Sequence, residues 1–203
     1  MKKLLLTLGL VGTLGTAALT FPVIAQMNMG TMGAMGDSST KALAKLNGKA
    51  YDTAWLSQMI EHHGGAVEMS QMCVKTCTDK DVKAAAQKII NAQDKEIKQM
   101  TTWLKSWYNT KTDPKQMAFI KVDMKPMMDS SMAGMKPMEG MAHSADRSFL
   151  EGMIPHHKHA VAMGKDAAKR AKRPELRKFG QNVVNDQGTE IKQSQGWLKT
   201  KNI

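Results

Sequence analysis

The chain has 203 residues, 42% hydrophobic and 23% charged, with a formal net charge of +11. That length suits one domain with a sizeable core. The basic balance alone would point to nucleic acid, but an export signal at the N-terminus argues against a nucleic-acid partner.

Lys2 and Lys3 form a charged n-region, residues 4–20 are apolar and small, and Val23-Ile24-Ala25 carries small residues where a signal peptidase reads. This predicts a signal peptide over 1–25, cleaved before Gln26, and a periplasmic or secreted product of about 178 residues. The apolar run is interrupted and short of the ~20 residues of a spanning helix, so no stable membrane insertion is expected after cleavage. Met27, Met29, Met32 and Met35 follow at once, in a methionine-rich segment over 26–50. The chain has 19 methionines against four phenylalanines, more than core gap-filling requires.

Residues 51–110 read as a helical hairpin. Trp55, Leu56, Met59, Ile60, His63, Val67 and Val74 recur at three and four residues, the helical period. Thr78 with Asp81 predicts the cap of the next helix, whose stripe runs through Val82, Ile89, Ile97, Met100, Trp103 and Leu104. Cys73 and Cys77, one turn apart, fit either a disulfide at a frayed helix end or a pair of thiolate ligands.

Residues 111–144 are too long for an idle connection and either cross the bundle or do work of their own. Met124, Met127, Met128, Met132, Met135, Met138 and Met141 recur there without large aliphatics, and His143 follows. The expectation is a flexible methionine-rich tract that adds soft ligands, among them Met135, Met138, Met141 and His143.

Residues 145–203 repeat the hairpin. A shift of 94 aligns 52–105 with 146–199 without a gap: Asp52 meets Asp146, Gln87 meets Gln181, and Trp103-Leu104-Lys105 meets Trp197-Leu198-Lys199. Pro174 suits the first turn of the last helix, and Pro155 sits inside the preceding one. Four amphipathic helices of roughly 25 residues predict an all-α four-helix bundle built from two tandem hairpins.

The repeat carries the chemistry. Five of the six histidines lie in two matched segments. Met59, His62, Ala66, Met69 and Cys73 share one helix face, and Met153, His156, Ala160, Met163 and Ala167 its counterpart. His63 and His157 fall on the core stripes, and His159 is an extra imidazole. Ala66 and Ala160 are expected to leave room for an ion. Thioether and imidazole, without acidic oxygen ligands, suit Cu(I), with Ag(I) as its surrogate; the histidines also accept Cu(II). A non-metal reading has the histidines satisfied by Gln93 and Gln187.

The segment H-H-x-x-A-x-x-M, at 62–69 and 156–163, resembles the ferritin-like bacterial domain family long classed as of unknown function. The tandem copies, signal and methionine-rich segments are similar to periplasmic copper-binding members of that family. The resemblance implies a helical bundle that binds copper and contributes to copper tolerance, with other copper-handling proteins as possible partners. It covers about 52–108 and 146–200 and carries over only the matching His and Met positions. No enzyme is expected. The rival is a ferritin-like di-iron oxidoreductase, but no Glu-x-x-His occurs, and Glu61, Glu96 and Glu190 read as too few and wrongly placed. A helical interaction module with incidental metal is the other alternative.

Overall fold

The computed structural model describes residues 37–136 and 144–203, and those residues are helical with no strand. Six helices follow one another: α1 (Asp37–Ala44), α2 (Gly48–Thr76), α3 (Lys80–Tyr108), α4 (Pro114–Gly134), α5 (Ala145–Arg170) and α6 (Pro174–Thr200). The all-α expectation holds. The four-helix count is two short, because α1 and α4 form where non-helical chain was expected. The signal segment, the first methionine tract, Met138, Met141 and His143 lie outside the described residues.

The long helices start and stop for local reasons. Asp79, rather than Thr78, caps α3, its carboxylate accepting from the backbone N–H groups of Asp81 and Val82. Asn109 closes α3 in the left-handed conformation, at φ 50°. Pro114 and Pro174 occupy first turns, where their missing N–H costs nothing. Pro155 lies within a continuous α5. Gly164 and Gly180 let α5 and α6 touch backbone to backbone: a Cβ on either would come within 2.7 Å of the other's carbonyl oxygen.

The hairpins α2–α3 and α5–α6 hold each other reciprocally. Asp52, at the start of α2, accepts from the N–H groups of Lys172 and Arg173 in the α5–α6 turn, at 2.8 and 3.1 Å. Asp146, at the start of α5, accepts from the N–H groups of Thr78 and Asp79 in the α2–α3 turn, at 3.0 and 2.9 Å. Both carboxylates are buried. Trp55 Nε1 donates to the carbonyl of Met163, and the Tyr51 hydroxyl to Asp166. The start of α2 therefore meets the end of α5, and the two helices run antiparallel.

The connecting segment corrects the expectation of a flexible tract. Ile120, Met124, Met127, Ser131 and Met135 are buried at spacings of four, three, four and four, the stripe of an amphipathic helix. Helix α4 packs on α2, α5 and α1. Arg170 Nη2 donates to the carbonyls of Leu43 and Leu46 at the end of α1, while the Asp123 carboxylate accepts from the N–H groups of Ser38 and Ser39 at its start. The charges at both ends complement the helix dipole. Cys73 and Cys77 form a disulfide where α2 gives way to extended backbone at Cys77, so neither is a thiolate ligand. Among the described residues no helix is long and apolar enough to cross a membrane.

Candidate metal centre

Helices α2 and α5 cross with His62 and His156 in contact, their ring centroids 3.9 Å apart. Both rings are buried, and none of their four ring nitrogens has a hydrogen-bond partner. Buried polar groups are normally satisfied, and each orphan costs about 1–3 kcal/mol. Four on two touching rings call for an explanation. Burial, and then the positive charge each neighbouring imidazole would carry, hold both groups well below the usual 6.5. They are therefore neutral at pH 7, the state in which imidazole binds a metal.

Beside the pair lies a solvent-facing cleft of about 340 Å³ between α2 and α4. Its walls include His62, His156 and the thioethers Met124, Met128 and Met132. The room comes from Gly65, not from Ala66 or Ala160. A Cβ at Gly65 would stand 3.0 Å from Met128 Sδ and 3.4 Å from His156 Nε2, so sulfur and imidazole nitrogen face one small volume. The rim also holds Glu61, Glu68 and Asp129, which corrects the expectation of a setting without acidic oxygens. Glu61 lies 3.6 Å from Lys121 and Asp129 2.8 Å from Lys125.

The other expected ligands are placed elsewhere. Met59, Met69, Met153 and Met163 are buried in the apolar core, as is Met135 at the end of α4. His159 stacks near His62 at 5.1 Å between centroids, and its Nε2 lies 3.5 Å from Ser39 Oγ; burial lowers its proton affinity despite the charge of Asp123. His63 and His157 are buried against glutamates rather than Gln93 and Gln187: His63 Nε2 is 2.7 Å from Glu96 Oε2, and His157 Nε2 is 2.9 Å from Glu190 Oε2. Among the described residues no three His, Cys, Asp or Glu side chains converge as ready ligands.

Sequence reasoning did not assign Met124, Met128 and Met132 to the histidines. The signal was present: Met124, Met128 and Met132 are four apart, and Gly64-Gly65 replaces Lys158-His159 of the second copy.

A family model described as a domain of unknown function, DUF305, matches residues 20–100 and 57–198. The chain belongs to the DUF305 family. Its fold is similar to that of CopM, a family likeness seen with CopM in the Cu(I)-bound form at 27% identity and a TM-score of 0.60, over 75% of this chain and 98% of that one. CopM in the Cu(II)-bound form gives 29% identity and a TM-score of 0.60, over 74% and 98%. A DUF305 fragment from Deinococcus radiodurans, at 24% identity and a TM-score of 0.59 over 73% and 95%, shares the fold. An uncharacterized protein of Acanthamoeba polyphaga mimivirus is 31% identical over 58 residues, 29% of this chain; the match spans 38% of that relative's length.

Proposed function

We propose that this DUF305 protein is an exported, non-enzymatic copper-binding protein that holds Cu(I) for sequestration and buffering, and so supports copper resistance. One observation carries the reading: His62 and His156 bury four unpartnered ring nitrogens beside a cleft lined by Met124, Met128 and Met132. A soft monovalent ion fits that donor set. Neutral imidazoles and thioethers need no deprotonation to bind it, so occupancy should persist in mildly acidic medium. The likeness to CopM, solved with Cu(I), Cu(II) and Ag bound, supports copper as the cargo, with Ag(I) as surrogate and Cu(II) as a further ion.

The signal over 1–25 supports a periplasmic or secreted setting. We read α2–α3 and α5–α6 as tandem copies of one unit that close a four-helix bundle, with α4 laid across it. Met59, Met69, Met153, Met163, His159 and the methionines outside the described residues are secondary ligands in this reading. Competition titration of the purified chain against a Cu(I) chelator tests it. Cu(I) and Ag(I) should bind more tightly than Zn(II) at the tightest step, and Zn(II) displacing Cu(I) from that step would overturn it.

A further inference from the structure

The two ends of the bundle differ in what their charges face. At one end α6 finishes beside the α2–α3 turn, and Lys201 pairs with Asp79 and Asp81, each at 2.8 Å. Arg147, at the start of α5, pairs there with Glu151. The other end gathers the close of α1, the start of α2, the close of α3 and the α5–α6 turn. Arg170 ties the turn to the α1 carbonyls, and Asp52 ties it to α2 and to the Tyr108 hydroxyl of α3. Lys45, Lys49, Lys169, Lys172, Arg173 and Arg177 cluster on these elements, the four lysines exposed and the two arginines half-buried. The carboxylates of segments 45–52, 105–111 and 166–177 are Asp52, Asp166 and Glu175. Asp52 is buried under backbone N–H groups, and Asp166 is engaged by Arg170 and Tyr51. Asp113, close by, caps α4. Among the described residues none of the six cations forms an ion pair.

Aromatic rings lie among these cations. Trp107 and Tyr108, half-buried in the last turn of α3, hold the Arg173 guanidinium at 5.3 and 5.8 Å from their ring centroids, and Lys49 Nζ stands 5.8 Å from the Tyr108 ring. Trp103 stacks on Trp107 at 4.6 Å. We propose that this end of the bundle is a peripheral docking surface for an anionic lipid bilayer. Each basic side chain beside such a surface raises affinity about fivefold, and Trp and Tyr settle at the headgroup level, where one edge is apolar and the other wet. The charge comes from four elements at one end of the bundle rather than from a groove, which suits a layer of headgroups. An acidic protein partner calls for an apolar anchor, and the large apolar side chain exposed among the described residues, Val122, belongs to α4. Contact is by adsorption, since among the described residues no helix is long and apolar enough to cross a membrane. The inference rests on the exported setting, where a membrane rather than nucleic acid is the polyanion at hand, and not on copper binding. His62 lies about 20 Å along α2 from Gly48, so a docked chain keeps its cleft open to solvent.

The test sediments the full purified chain with vesicles of phosphatidylcholine alone and of phosphatidylcholine with about 30% phosphatidylglycerol. The chain should bind the anionic vesicles, leave the neutral ones, and lose most of its binding at high salt. Lys169→Glu with Lys172→Glu should weaken vesicle binding by about tenfold or more. Lys80→Glu with Lys199→Glu changes net charge equally at the opposite end and should weaken it by about twofold or less, the effect of net charge at a distance. Trp107→Phe should weaken it several-fold and reduce the change in tryptophan fluorescence on adding vesicles. Circular dichroism checks that each variant is folded, and the Cu(I) count should be the same in all of them. Absence of binding to anionic vesicles overturns the proposal, as does equal loss from charge reversal at either end. Binding to soluble polyglutamate but not to vesicles would also overturn it and assign the surface to an acidic protein. Vesicle binding with no uptake of Cu(I) would sink the copper reading and leave this one standing.

Discussion

His62 and His63 are neighbours on α2, and His156 and His157 are neighbours on α5, yet the two pairs live in different chemistry. His63 and His157 each face a glutamate on the second helix of their own hairpin. His62 and His156 face each other and the thioether wall of α4, with every ring nitrogen unpartnered. A step of about 100° around a helix separates the two environments. The difference teaches that burial alone does not assign a histidine's role: each ring of one pair has a carboxylate within 3 Å of its Nε2, and the other pair has a cleft.

The strongest way to break this comparison is to make the unpartnered pair apolar. His62→Leu with His156→Leu should weaken the tightest Cu(I) step by about two orders of magnitude or more, the loss expected when ligands themselves go rather than their supports. The apo protein should melt no lower than wild type, because removing orphaned polar groups from a core is neutral or stabilising. Chelator competition and circular dichroism melts read both. Retained tight binding would show that the pair is not the ligand.

Acid should act on the same pair. Burial holds His62 and His156 well below 6.5, so below pH 6.5 the unfolded chain takes up protons that the folded chain refuses. Stability present above pH 6.5 is therefore lost as pH falls below it, by about 1.4 kcal/mol per pH unit for each such imidazole. Melts of the apo protein between pH 7.5 and 5 should show this fall, and the double leucine variant should show a shallower one. A flat profile in the wild type would contradict the burial of neutral rings.

The glutamate-facing pair should respond in the opposite sense. His63→Leu leaves Glu96 without its imidazole and should destabilise the fold by about 1–3 kcal/mol, with a far smaller effect on Cu(I) than His62→Leu. Urea unfolding would detect the loss. Equal effects of the two changes on Cu(I) would erase the distinction.

Gly64 and Gly65 give the finest test. A methyl at Gly64 meets nothing within 4 Å, whereas one at Gly65 enters the space between Met128 and His156. Gly64→Ala should stabilise the helix by up to about 1 kcal/mol and leave Cu(I) affinity alone. Gly65→Ala should lower Cu(I) affinity several-fold. If the two behave alike in titration, the ion does not sit where sulfur and nitrogen converge.

The hairpins were legible because their apolar residues follow one period for many turns, and Trp55, Leu56 and Met59 proved as buried as their spacing required. Helix α4 was harder to see. After Ile120 its stripe is made of methionine and serine rather than leucine or valine, and Pro126 falls inside it, so composition spoke for a linker while spacing spoke for a helix. The partners of His63 and His157 were hidden for a different reason. Glu96 and Glu190 lie 33 residues beyond them in the chain, and no helical spacing links residues on separate helices; only their shared place in the repeat marked them. The cleft joins residues of three helices, and the sequence offered the donors without their grouping.

Each hairpin reaches into the turn of the other. Asp52 secures the turn of the second, and Asp146 that of the first. The same pair of contacts would form between two copies of a lone hairpin about a two-fold axis, since such an interface is self-complementary. In ancestral terms, duplication and fusion would inherit a working dimer interface rather than invent one. Helix α4 has no counterpart in either hairpin, and it alone brings the thioethers of Met124, Met128 and Met132 to the cleft beside His62 and His156, so the character of that site is set by the connection between the hairpins rather than by the hairpins themselves.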